Sequence, residues 1–570
     1  MKRGKAIGNS EYKWHNPYRS TDGFCELYLT LTVIQRSVYM ILLEINHIKH
    51  YVRDRLLLDV NNLQIHDHDK IGLIGPNGCG KTTLLNIMAG TINPNNGKVT
   101  RYANIELIPQ IKQQAGTTKS GGEVTKEYLQ QVLYRHPSLL LADEPTTNLD
   151  TDHIEWLEKI LSEWKGAFVI VSHDRDFLDS LCTTIWEIDG CKIIEYTGNY
   201  TNYKEQKEKK KLRNQLEYKK YMEKKKQLER AIIDLKHRAQ RATKKPKNIS
   251  NSEARVPGVK THYASIQKKL MLNIKSIQKR IERLEAVEKE KELPPIKMEL
   301  KNAELPRNKP ILRVEDLSGI VGERVLWNKI SFQIRVGDKL AIIGPNGSGK
   351  TTLIKKIINK DPKVKLSPSV KIGYFSQDLN ILDDKKTILQ NVWATSNHNE
   401  TFIRTVLARM HFFGEDIYKP VEILSGGERV KAALAKIILS DVNMLVLDEP
   451  TNFLDAQAIE ALETLLMNYE GSVIFASHDR RFINKVATRI LSIRNGRIEL
   501  FSGNYKEYKE YQQQQIQAKQ DKERNERLLL LETKIAEVIS RLSLNPSEEL
   551  DRQLENLLSE KEKLIQKNFD

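Results

Sequence analysis

Gly75-Pro76-Asn77-Gly78-Cys79-Gly80-Lys81-Thr82 returns as Gly344-Pro345-Asn346-Gly347-Ser348-Gly349-Lys350-Thr351. Each copy follows an apolar run, Lys70 to Ile74 in the first and Lys339 to Ile343 in the second. Each also opens a helical pattern, Leu84 to Met88 and Leu353 to Ile357. One G-x-x-x-x-G-K-[ST] match arises by chance, but strand, glycine loop and helix found twice specify two phosphate-binding P-loop units. Glycines let backbone N–H groups close on phosphate oxygens, and the helix N-terminus adds a favourable dipole. Lys81 and Lys350 are placed to reach the β/γ-phosphates, and the hydroxyls of Thr82 and Thr351, each followed by a second threonine (Thr83, Thr352), to hold Mg²⁺.

The halves align motif by motif. Lys81 and Lys350 are 269 residues apart, and Gln110 and Gln377 are 267 apart. Ser120-Gly121-Gly122 and Ser425-Gly426-Gly427, Glu144 and Glu449, and His173 and His478 are all 305 apart, as are Gly198-Asn199-Tyr200 and Gly503-Asn504-Tyr505. The jump of 38 between the glutamine and the SGGE motif means that the first unit lacks about a helical subdomain there. In each half an apolar strand ends in paired acids, Asp143-Glu144 and Asp448-Glu449. The first acid of each pair suits Mg²⁺, and the second can orient or deprotonate an attacking water. His173 and His478 follow, placed to sense a γ-phosphate; alone, a histidine after a strand is more often structural.

At 570 residues the chain exceeds one core. Its 39% hydrophobic and 29% charged composition fits a soluble protein, and no stretch approaches the ~20 apolar residues of a membrane span. The four cysteines (Cys25, Cys79, Cys182, Cys191) show no metal spacing, which fits a reducing cytoplasm.

Net charge is +17, and residues 201 to 300 carry 29 Lys+Arg against 13 Asp+Glu, a net of +16. Thr201 to Lys245 contains neither Gly nor Pro, with Tyr221, Leu228 and Leu235 spaced by seven. After Pro257-Gly258, Leu270, Ile274, Ile277, Ile281 and Leu284 keep a 4-3-4-3 rhythm. Two helices with apolar seams and a short connection predict an antiparallel hairpin. Solvated charge is the ordinary explanation of a Lys-rich helix, but a one-signed surplus towards a projecting tip favours a polyanion. Sparse aromatics (Tyr221, Tyr263) argue for folded RNA over single strands.

The pieces resemble ATP-binding cassette ATPases over Ile41 to about Tyr200 and Ile311 to about Tyr508: P-loop, glutamine loop, SGGE signature, acidic strand, Asn148-to-Asp150 or Phe453-to-Asp455 loop, then histidine. The implied fold class is α/β, two P-loop ATP-binding cassette domains joined by a long antiparallel α-helical hairpin, plus a C-terminal helical extension. The resemblance implies face-to-face cassettes. Site one would join Gly75, Asn77, Gly78, Gly80, Lys81, Thr82, Thr83, Gln110, Asp143, Glu144 and His173 to Ser425, Gly426 and Gly427. Site two would join Gly344, Asn346, Gly347, Gly349, Lys350, Thr351, Thr352, Gln377, Asp448, Glu449 and His478 to Ser120, Gly121 and Gly122. ATP and Mg are the implied cofactors, with Glu144, Glu449, His173 and His478 as the catalytic set. Tyr51 stands where the family puts an adenine-stacking aromatic, whereas the matching position is Ile320, and Lys119 replaces the usual leucine before the first signature. The two sites are therefore expected to turn over unequally.

Two cassettes, a basic helical linker and the wording Arg241 to Asn248 resemble the ABC-F class of ribosome-acting ATPases, and within it the Vga-type antibiotic-resistance branch. The resemblance implies a cytoplasmic monomer without a membrane partner. It would bind the ribosome at the exit site, touching rRNA and exit-site tRNA, with the arm reaching the peptidyl-transferase centre and expelling lincosamides, streptogramin A and pleuromutilins. The tip, about Ile249 to Val259, would set drug preference. A housekeeping translation factor, the energy module of an exporter and a DNA-remodelling ATPase are the alternatives. The expected divisions are a leader at 1–39, with translation starting at Met40, a shortened cassette at 40–200, the arm at 201–300, a second cassette at 301–510 and a C-terminal helical hairpin at 511–570.

Overall fold

The computed structural model describes residues 40–110, 121–147, 149–242, 259–284, 310–376, 381–544 and 547–566. Expectations that fall on the leader, Lys119, Ser120, Gln377 and most of the arm's turn lie outside these residues.

The first half runs β1 (Ile41–Val52), β2 (Arg55–His66), β3 (Lys70–Ile74), α1 (Lys81–Ala89), β4 (Asn96–Arg101), β5 (Ile105–Ile108), α2 (Gly121–Tyr134), β6 (Leu139–Asp143), α3 (Thr151–Glu163), β7 (Ala167–Val171), α4 (Arg175–Leu181), β8 (Thr184–Asp189) and β9 (Lys192–Thr197). Its main sheet has the order β5-β6-β7-β3-β8-β9, parallel except for the final β8–β9 pair. β6 and β7 are buried at every residue, which is why they read as unbroken apolar runs. A three-stranded antiparallel sheet, β2-β1-β4, shares a core with one face of the main sheet: Leu43, Ile45 and Ile48 meet Leu73, Leu84 and Leu141.

Two helices follow, α5 (Tyr200–Ala242) and α6 (Val259–Glu282). On α5 the less exposed positions are 221, 225, 228, 232, 235 and 239, and on α6 they include 270, 274, 277 and 281. Ile232, Ala239 and Ile274 are buried between the helices. The apolar seam read from the sequence is the packed face; Lys225 is half-buried along it, and most of the other lysines are exposed.

The second half repeats the first: β10 (Pro310–Val321), β11 (Arg324–Arg335), β12 (Lys339–Ile343), α7 (Lys350–Ile358), β13 (Val364–Leu366), β14 (Ile372–Phe375), α8 (Ile388–Trp393), α9 (Glu400–Arg409), α10 (Gly426–Leu439), β15 (Met444–Asp448), α11 (Ala456–Met467), β16 (Ser472–Ala476), α12 (Arg480–Val486), β17 (Arg489–Arg494) and β18 (Arg497–Ser502). The sheet orders, β14-β15-β16-β12-β17-β18 and β11-β10-β13, match those of the first half strand for strand. Between β14 and α10 the chain spends 50 residues, including α8 and α9; between β5 and α2 it spends 12. That is the 38-residue difference in the repeat. The extra helices bury Ile388, Val392, Ile403, Val406 and Leu407 against α10 and the sheet.

The chain ends in α13 (Tyr505–Leu544) and α14 (Glu548–Gln566), joined by Arg527–Glu560 at 2.7 Å and Lys561–Glu532 at 2.8 Å. Among the described residues, no helix is long and apolar enough to cross a membrane.

Candidate active site

Helices α1 and α7 differ from their neighbours at the N-terminus. Gly80 and Gly349 precede them in the left-handed conformation (φ 105° and 100°), no side chain caps either, and neither has an acid in its first turn. By contrast Asp150, Asp174, Ser425, Asp455 and Asp479 cap α3, α4, α10, α11 and α12 with their side chains. An uncapped helix start leaves backbone N–H groups available to an anion. A Cβ on Gly349 would stand 2.3 Å from the Trp327 ring, too close to fit, and one on Gly80 would press on Leu57 Cγ at 3.0 Å from a left-handed backbone that L side chains rarely adopt. A Cβ on Gly78 or Gly347 would meet nothing within 4 Å, so the loop is open on that side.

Lys81 Nζ donates to the carbonyls of Gly75 (2.8 Å) and Pro76 (3.1 Å), and Lys350 Nζ to those of Gly344 (3.0 Å) and Pro345 (3.3 Å). Each lysine is thereby folded back over its own loop. Thr82 Oγ1 donates to Asp143 Oδ2 at 2.7 Å, and Thr351 Oγ1 to Asp448 Oδ1 at 3.3 Å. Burial raises the pKa of both aspartates, against the lowering effect of those hydrogen bonds.

Glu144 and Glu449 follow β6 and β15 at φ 50°, a left-handed conformation that a glutamate adopts at a cost of order 1 kcal/mol. His173 Nε2 lies 3.3 Å from Glu144 Oε1, and His478 Nε2 lies 3.3 Å from Glu449 Oε1. Burial pushes Glu144 up to about 8 and Glu449 to about 7, with Lys81 and Lys350 pulling the other way. Burial, reinforced by the same lysines, drives both histidines down to about 3. The imidazoles are therefore neutral in the physiological range. Glu449 Oε2 is buried without a hydrogen-bond partner, and Glu144 Oε1 has only the 3.3 Å approach of His173 Nε2. An unpartnered buried oxygen costs free energy and points to a group missing from the list of protein partners. A hydroxyl–carboxylate pair beside an open anion cradle suits nucleotide phosphates with a hard, oxygen-liganded cation such as Mg²⁺.

The halves face each other across one cavity of about 1970 Å³. Its lining includes both P-loops, Gln110, both glutamates, both histidines, and Ser425 and Gly427 of α10's N-terminus. Asn77 Nδ2 donates to the Phe453 carbonyl at 3.0 Å, and a Cβ on Gly427 would stand 3.1 Å from that same Nδ2. The first P-loop thus meets the second signature. Across the other site, Asp150 Oδ2 accepts from the Asn346 backbone N–H at 2.9 Å. There Gly121 and Gly122 open α2, while Ser120 and Gln377 are outside the described residues.

Tyr51 is 40% exposed at the end of β1 and is not among the residues lining the cavity, where Val52 and Arg55 stand. The second half presents Val321 and Arg324, each 269 residues further on, so these parts of the two rims match. The same offset applied to neighbouring residues would have found this pair. Asp150, at the end of the Asn148-to-Asp150 loop, supplies the inter-half contact just described. Lys431 escaped the motif reading; its Nζ sits 3.0 Å from Asp455 Oδ2 in a buried pair beside His173.

Comparison with known proteins gives the following. Family profiles described as ABC transporter match residues 58–117 and 327–452, and a related one, described the same way, matches 186–255. The chain is 32% identical over 555 residues to the ribosome protection protein VmlR of Bacillus subtilis (strain 168), covering 91% of this chain and 97% of that one. It is 34% identical over 475 residues to the erythromycin resistance ATP-binding protein MsrA of Staphylococcus epidermidis, covering 78% and 96%. Among solved structures, an RNase-L inhibitor superimposes over 80% of this chain and 90% of its own, with a TM-score of 0.51 at 18% identity, a likeness of fold.

Proposed function

Since the chain belongs to the ABC-F family of ATP-binding cassette ATPases, we propose that it is a cytoplasmic, ribosome-binding ATPase that protects the ribosome from antibiotics of the peptidyl-transferase centre, in the manner of the Vga-type branch. Lincosamides, streptogramin A and pleuromutilins are the drugs assigned to it. The observation that carries this reading is the near full-length likeness to a ribosome protection protein and to an erythromycin resistance protein. Support comes from the +16 surplus of residues 201–300, a stretch that includes the two-helix arm, on which most of the lysines are exposed. The arm would enter from the exit site and contact rRNA and exit-site tRNA by charge and shape.

Lys81, Lys350 and the free N–H groups of the two loops bind and orient ATP phosphates. Thr82 with Asp143, and Thr351 with Asp448, would hold Mg²⁺, which supplies charge neutralisation at the phosphates. Glu144 and Glu449 orient the attacking water and take its proton, helped by pKa values near neutrality and by a neutral histidine 3.3 Å away. Ser425 to Gly427 complete the first site from the opposite cassette and Ser120 to Gly122 the second, so closure depends on nucleotide in both.

A translation extract stalled by a lincosamide tests the reading. Purified wild type is expected to restore synthesis, and Glu144→Gln/Glu449→Gln is not. No restoration by wild type, with the double variant still arresting drug-free translation, would leave the ribosome as partner and replace protection with a housekeeping role.

A further inference from the structure

The seam between the cassettes carries ion pairs that exchange under the 305-residue repeat. Arg175, fully buried at the start of α4, pairs with Glu463 of α11; Arg480, at the start of α12, pairs with Glu158 of α3. Lys204 of α5 bonds Glu460 of α11 at 2.5 Å, and Lys509 of α13 bonds Glu155 of α3 at 2.6 Å. Each second pair is the first with 305 added to one member and taken from the other. The helix leaving each cassette is thus bonded to the opposite one.

The two helix feet are not equal. Tyr200, the first residue of α5, is buried and has the Arg481 guanidinium of the opposite cassette 5.7 Å from its ring centroid. The residue 305 positions before Arg481 is Asp176, so Tyr505 at the foot of α13 lacks that contact; its cation is Lys509 of the same helix, at 5.9 Å. Among the described residues, the foot of the arm thus adds a ring–cation contact with the far cassette to its ion pair, which the foot of α13 does not. Tyr203 and Lys207 hold the same foot to its own cassette through Glu187.

We infer that Lys204 and Tyr200 of the arm, with Glu460 and Arg481 of the second cassette, form a tether through which cassette closure sets the direction of the arm. α5 is one helix from Tyr200 to Ala242, and α6 braces it. From Lys204 to the end of α5 is a lever of about 57 Å, so a turn of about 10° at the foot carries the far end about 10 Å. None of the four residues belongs to the nucleotide site; they are positioning residues. The consequence for ribosomes rests on the proposed function, whereas the tether itself does not.

The experiment has two readouts. In protein locked by Glu144→Gln/Glu449→Gln with ATP, genetically encoded spin labels at Lys236 on the arm and Lys385 on the second cassette report the arm's direction. The distance distribution is expected to be narrow. It should broaden in Lys204→Glu and narrow again in Lys204→Glu/Glu460→Lys, with Lys509→Glu leaving it unchanged. In catalytically intact protein, Lys204→Glu is expected to lose about fivefold of its activity in the stalled extract, and the charge swap to recover most of it. ATP turnover without ribosomes should stay within about twofold of wild type, since no nucleotide contact is touched. An unchanged distribution in Lys204→Glu, or no recovery by the swap, overturns the tether. A broadened and rescued distribution in a protein that never restores translation leaves the tether standing and overturns the protection reading.

Discussion

The two cassettes share strand order, P-loop, acid pair and histidine geometry, yet they diverge in what surrounds those parts. Asp150 of the first caps the Asn346 amide of the second P-loop and has His153 Nδ1 2.6 Å away. Its counterpart Asp455 is held instead by the buried Lys431. Lys431 has its own counterpart in Lys126, which sits 5.1 Å over the Trp156 ring. The same two residue types are thus wired differently in the halves. Where the chemistry of phosphate binding dictates geometry, duplication has kept the copies alike; where only local support is required, the copies have separated.

Removing both glutamates is the strongest way to test the likeness. Glu144→Gln/Glu449→Gln is expected to lower ATP turnover by about 10²–10⁴-fold, the range for loss of a general base. Each single variant should leave the turnover of the other site, measured by phosphate release under saturating ATP. If one single variant removes nearly all activity, the cassettes hydrolyse unequally, as the first signature's Lys119 suggests.

The difference at the lysines gives a smaller effect with a definite direction. Lys431→Met strands a buried Asp455 carboxylate and is expected to cost about 3 kcal/mol, whereas Lys126→Met loses a cation–π contact worth about 1 kcal/mol or less. Chemical denaturation of the two variants compares them directly. Equal losses would mean that the Lys431–Asp455 pair supports no more than its counterpart.

Much of this was legible in one dimension because the repeat served as an internal control. The paired P-loops, acid-ended strands and SGGE motifs specified two cassettes, and the 4-3 spacing of Leu270, Ile274, Ile277 and Ile281 specified the arm's seam. The charge exchange at the seam was hidden because Arg175 and Glu463 are 288 residues apart and belong to unlike helices. Val52 and Arg55 went unread because only an aromatic was sought at that rim, and neither residue is one. Lys431 belongs to none of the motifs, and only the packing of α10 against Asp455 gives it a role.

The smallest effects are electrostatic and concern both glutamates. Burial is the first cause of the upward shift in each, to about 8 for Glu144 and about 7 for Glu449, and each has an aspartate beside it, Asp143 or Asp448. A base acts in its ionised form, so turnover should rise with pH through these values. Glu449→Gln, which leaves Glu144 as the working base, and Glu144→Gln, which leaves Glu449, should both show this rise. Stability should run the opposite way. Each glutamate keeps its proton in the folded state up to about 7 or 8 but loses it near 4.5 when unfolded. The native state therefore binds more protons in that window, and wild-type stability falls as pH rises through it. Glutamine has no proton to lose, so the melting temperature of Glu144→Gln without nucleotide should exceed that of wild type by a gap that widens from pH 5 to pH 8, to about a few degrees. A constant gap, or a pH–rate curve that is flat across this range in either single variant, would mean that burial does not hold the proton on the glutamate.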